Sequence, residues 1–105
     1  MNLELLSRKS SEEMYMLEKE FREFLENIGL TKNGVAFRMS KANIAEEILG
    51  YSLDEAVSTD NKMYDSLIKI QPYEDPKHNP IQNAIRKYYI FKNGNSFPQL
   101  RCFKR

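Results

Sequence analysis

Apolar positions recur at helical spacing through the first part of the chain. Met14, Leu17, Phe21, Phe24, Leu25 and Ile28 stand three and four residues apart, which gathers them on one stripe of a helix. Ser10-Ser11-Glu12-Glu13 before that stripe has the form of a capping box, and Gly29 after it supplies a left-handed terminator. The spacing predicts a first helix from about Ser11 to Ile28, with Glu12, Lys19, Arg22, Glu23 and Glu26 on a solvated face. That helix is expected to serve as scaffold or as a homodimer contact.

Beyond it the pattern shortens. Lys32-Asn33-Gly34 reads as a turn and Val35-Ala36-Phe37-Arg38-Met39 as a short strand leading into Ser40, an N-cap. Ala42, Ile44, Ala45, Ile48 and Leu49 give a second helix its apolar face, closed by Gly50. Ser52-Leu53-Asp54-Glu55 predicts a brief helical turn from Leu53 to Val57. Thr59 caps a further helix in which Met63, Leu67, Ile68 and Ile70 point inward, and Pro72 stops it. Gln71 to Pro80, with three prolines, is a loop. The segments Pro80–Ala84 and Tyr88–Phe91 are rich enough in β-formers to predict a hairpin around Ile85-Arg86-Lys87, followed by a turn at Asn93-Gly94-Asn95 and an extended tail through Phe97, Leu100 and Phe103. The expected core comprises Leu17, Phe21, Leu25, Phe37, Ile44, Ile48, Leu67, Ile68, Tyr89 and Phe91.

Long helix, short strand, helix, turn, helix and basic hairpin compose an α+β fold, a winged helix-turn-helix of three or four helices with a small antiparallel β-hairpin wing. At 105 residues the chain is expected to form one domain, 1–105, with 1–10 and 98–105 as flexible tails.

Composition narrows the function classes. The single cysteine, Cys102, excludes an intramolecular disulfide and a cysteine-based zinc site. No apolar run approaches the roughly 20 residues of a membrane span, and Met1 to Lys9 do not read as a secretion signal, so a cytoplasmic location is expected. His78 with Glu74 and Asp75 in a proline-rich loop lacks the spacing of a helical metal motif, and no phosphate-binding glycine loop is present. The chain is therefore expected to be no enzyme, with no catalytic residue, metal or cofactor.

Charge is nearly balanced overall, at +1, but unevenly placed: residues 1–65 carry 8 basic and 13 acidic side chains, residues 66–105 carry 8 and 2. A positive second half can recruit a polyanion from a near-neutral protein.

Three stretches carry a family resemblance: Ser40-Lys41-Ala42-Asn43-Ile44-Ala45-Glu46-Glu47-Ile48-Leu49-Gly50, then Val57-Ser58-Thr59-Asp60-Asn61-Lys62-Met63-Tyr64-Asp65-Ser66-Leu67-Ile68, then Asn79-Pro80-Ile81-Gln82 with Tyr88-Tyr89-Ile90. Together they resemble the winged-helix domains of phage and prophage regulatory or replication proteins. The resemblance implies a first paired helix, a recognition helix and a wing, and a transcriptional regulator or replication accessory protein that binds double-stranded DNA. On the recognition helix it exposes Ser58, Asn61, Lys62, Asp65 and Lys69, with Tyr64 at the edge. Asparagine and lysine can read base edges, and serine or tyrosine can reach phosphates. Arg86, Lys87 and Lys92 on the wing, with Arg101, Lys104 and Arg105 in the tail, would supply phosphate contacts. Asp54, Glu55, Asp60 and Asp65 crowd the recognition helix and would repel phosphates, so the alternative is a protein-interaction module that sets its acidic helices against a basic partner.

Overall fold

The computed structural model describes residues 17–104. Among these residues five α-helices follow one another: α1 (Glu18–Asn27), α2 (Lys32–Leu49), α3 (Leu53–Ala56), α4 (Asp60–Ile70) and α5 (Pro80–Asn93), with 3₁₀ turns at Gln71–Tyr73 and Leu100–Cys102. No strand occurs among the described residues; a single isolated antiparallel bridge joins Asp75 and His78 in the loop before α5. The fold is therefore all-helical, and the α+β winged helix expected from the sequence is corrected.

Both predicted β segments are helix. Thr31, not Ser40, starts α2: its backbone is extended and its hydroxyl accepts from Gly34 N at 3.0 Å. Val35 and Met39, four residues apart, then continue the buried stripe of Ala42, Ala45, Glu46 and Leu49, so the expected strand is the first half of α2. The expected hairpin is α5. Pro80 occupies its first turn, where a missing N–H costs nothing; Ile81, Ala84, Ile85, Tyr88 and Tyr89 are buried at helical spacing, and Gly94 ends it at φ +84°.

Several other boundaries match the sequence reading. Gly50, at φ +82°, closes α2; Ser52 and Thr59 cap α3 and α4 by accepting from Glu55 N and Lys62 N, each at 3.1 Å. Gly29 follows α1 at φ +98°. The Ser10–Glu13 capping box lies outside the described residues.

Helix α2 is central. It packs on α1, α3, α4 and, most extensively, α5; fully buried Ala42 and Ala45 on α2 and Ala84 on α5 leave room for helix axes to approach. Tyr88 and Phe91 of α5 meet Phe21 and Phe24 of α1 in an aromatic cluster, with the Phe21 and Tyr88 rings edge-on at 4.9 Å. One residue further on, Tyr89 faces the C-terminal segment, where Phe97 lies 5.2 Å away, Phe103 packs on Phe97, and Tyr64 of α4 stacks on Phe103.

Of the expected core, Phe21, Leu25, Leu67 and Tyr89 are buried, and Ile44, Ile48 and Phe91 are partly buried against it. Leu17, Phe37 and Ile68 are exposed. Phe37 and Ile68 lie off the buried stripes of their helices, a consequence for Phe37 of reading a two-residue period into a segment that turns every 3.6.

Candidate functional site

Acidic residues around α3 and α4 are engaged by other groups of the protein. Asp54 accepts from the Tyr88 hydroxyl and pairs with Lys92 at 3.2 Å; Asp60 accepts from the Tyr89 hydroxyl at 2.7 Å; Glu55 pairs with Lys62 at 3.3 Å. Burial first, and the neighbouring carboxylate second, raise the Tyr89 hydroxyl to a pKa of about 12, and desolvation drives Tyr88 higher still. Glu46 is buried because its carboxylate accepts from Leu53 N at 2.9 Å, where the first N–H groups of α3 need an acceptor.

The same contacts occupy cations expected to face DNA. Lys62 and Lys69 lie beside the Tyr51 ring, at 4.3 and 5.5 Å from its centroid, and Lys69 also donates to the Leu49 carbonyl at 3.4 Å. The Ser58 hydroxyl donates to Glu55 O, and Tyr64 is stacked on Phe103. Asn61, Arg101 and Lys104 are exposed, and Arg105 lies outside the described residues. The predicted residues thus do not form one surface on α4.

Two of them do converge with a residue that sequence reasoning missed. Asn83, Arg86, Lys87 and Ile90 form one side of α5, and with Arg38 of α2 and Ser96-Phe97 they line an open cleft of about 420 Å³. Three of the seven lining residues are cations and none is a carboxylate. Arg86 donates from Nη1 to the carbonyls of Phe97 (2.8 Å) and Pro98 (3.2 Å), which fixes the chain after α5 as the cleft's wall. Burial lowers the Arg86 pKa, as desolvation disfavours its charge, but arginine remains protonated.

Arg38 Nε is buried with no hydrogen-bond partner. A buried donor left unpaired costs about 1–3 kcal/mol. The sequence held one signal for this position: read in the register that Thr31 starts, Arg38 falls beside the buried stripe of α2.

Chemically the cleft presents guanidinium, ammonium, amide and hydroxyl groups, and no imidazole, thiol or carboxylate that would relay a proton. Such a donor set binds anions, and paired arginines suit the geometry of phosphate oxygens. Among the described residues no group of His, Cys, Asp and Glu side chains could hold a metal ion, and no helix is long and apolar enough to cross a membrane.

Comparison with known proteins gives no relative: no family model, no curated protein and no solved structure matches the chain.

Proposed function

We propose that the chain is a non-enzymatic DNA-binding module whose phosphate contacts lie in the cleft between α2 and α5. The observation that carries this reading is the convergence of Arg38, Arg86 and Lys87 on one concave surface without a carboxylate, with a buried arginine N–H left unpartnered. Phosphate contacts supply most of the affinity of sequence-independent DNA binding. The reading rests on this cleft and not on the winged-helix resemblance. The acidic groups that argued for a basic protein partner are partly neutralised internally through Asp54–Lys92 and Glu55–Lys62, which removes much of their repulsion towards phosphate.

The test is fluorescence anisotropy of labelled random-sequence duplex DNA at two salt concentrations, with Lys87→Glu and Arg38→Gln beside the wild type. Binding should weaken as salt rises and fall in both variants while their circular dichroism is unchanged. No binding of duplex or of a single strand at low salt would reject the reading and favour a protein partner.

A further inference from the structure

Five large apolar side chains are exposed among the described residues: Leu17, Ile28, Phe37, Ile68 and Tyr73. A lone exposed apolar residue needs no explanation. Only Phe37 and Tyr73 are aromatic, and their surroundings differ in sign. Tyr73 precedes Glu74 and Asp75, whose charges oppose a phosphate chain. Phe37, 47% exposed, precedes the cleft residue Arg38.

Lys41 joins the ring to the cleft. It stands four residues after Phe37 and three after Arg38, the two spacings that make side chains neighbours on a helix surface, with about 5–6 Å between Cβ atoms. Its ammonium lies over the Phe37 ring, 5.2 Å from the centroid. The first half of α2 therefore presents an aromatic ring with a cation over one face and a guanidinium entering the cleft, in continuous order around the helix. Base stacking on an aromatic ring next to a basic groove is how proteins hold nucleic acid strands whose bases are unpaired. A paired base inside a duplex offers no free face to such a ring.

We propose that Phe37 is a stacking platform for an unpaired base of DNA whose backbone phosphate lies in the Arg38–Arg86–Lys87 cleft, so that the module takes single-stranded DNA in preference to duplex. This rests on the DNA-binding reading above and adds to it the form of the nucleic acid.

The experiment measures anisotropy of a labelled oligothymidylate and of a duplex of equal length against wild type, Phe37→Ala, Phe37→Trp and Lys87→Glu. Because Phe37 is exposed, its variants should keep the fold, which circular dichroism checks. The wild type should bind the single strand more tightly than the duplex. Phe37→Ala should lose affinity for the single strand on the order of ten-fold, the scale of one stacked base, and leave duplex affinity as it was. Phe37→Trp should restore the loss, and Lys87→Glu should weaken both forms. Equal single-strand affinity in wild type and Phe37→Ala would overturn the stacking role while leaving the phosphate cleft intact. Absence of binding to either form, or indifference to Lys87→Glu, would overturn the DNA reading and this inference with it.

Discussion

The Tyr88 hydroxyl donates to Asp54 Oδ1 at 2.7 Å and joins α5 to α3 across 34 residues of sequence. The same oxygen accepts from Leu17 N at 2.9 Å, so one fully buried side chain holds three parts of the fold in register. Removing the hydroxyl leaves the Leu17 N–H without this acceptor. Tyr88→Phe should destabilise the protein by about 1–3 kcal/mol, read as a lower urea midpoint. Asp54→Asn keeps an acceptor oxygen for Tyr88 and gives up the partly exposed Lys92 pair, a contact of little value. It should cost less than Tyr88→Phe.

Tyr89 links stability to alkaline pH. Below pH 10, the ordinary tyrosine value, the hydroxyl is protonated in folded and unfolded chains alike. Between that value and the folded value of about 12, the unfolded chain releases the proton and the folded chain retains it. Stability should therefore be whole below pH 10 and fall as pH rises through this window. Tyr88, raised in the same direction, steepens the decline. Urea midpoints across that range, followed with tyrosinate absorbance, should show ionisation and unfolding together; tyrosine ionisation without loss of stability would contradict the Tyr89–Asp60 bond.

Glu74 carries the N-terminus of α5. Asn79 makes no side-chain cap, and Pro80 has no N–H to offer; the Glu74 carboxylate accepts from Ile81 N and from Gln82 N, the latter at 3.0 Å. A carboxylate there satisfies two orphan donors and opposes the positive end of the helix dipole. Glu74→Ala should cost about 0.5–2 kcal/mol, the range of a lost cap, with Glu74→Gln between it and the wild type. Thermal melting resolves the order of the three.

What could be read in the sequence was local. Gly29, Gly50, Ser52 and Thr59 mark helix ends because their chemistry acts within a turn, and the Phe21–Leu25 stripe needs only its own spacing. The two β readings failed where residue type and period disagreed. Ile85, Tyr88, Tyr89, Ile90 and Phe91 are β-formers by preference, yet Ile81, Ala84, Ile85, Tyr88 and Tyr89 follow a helical period between Pro80 and Gly94. Packing on α2 outweighs a preference worth less than about 1 kcal/mol per residue. The cleft was half legible. Arg86 and Lys87 stand out in a second half with few acids, whereas a strand over Val35–Met39 sets Arg38 apart from them. The cost of occupying Lys62, Lys69 and Lys92 with Tyr51, Glu55 and Asp54 depends on contacts between elements, which spacing does not encode.

Those occupied lysines give a sharp expectation for DNA binding. Lys62 already sits against Tyr51 and Glu55, so recruiting it to a phosphate would require giving up both contacts. Lys87 lines the cleft, and no ion pair holds it among those found in the described residues. Each lysine that neutralises one phosphate contributes close to one unit to the slope of log affinity against log salt, about 0.9 for duplex and 0.7 for single strands. Lys87→Ala should therefore reduce that slope by about one unit, whereas Lys62→Ala should leave it unchanged and lower stability instead. A salt titration of both variants against the same DNA separates the surfaces: if the slope falls for Lys62→Ala and holds for Lys87→Ala, the phosphates lie on α4 and the cleft is not their site.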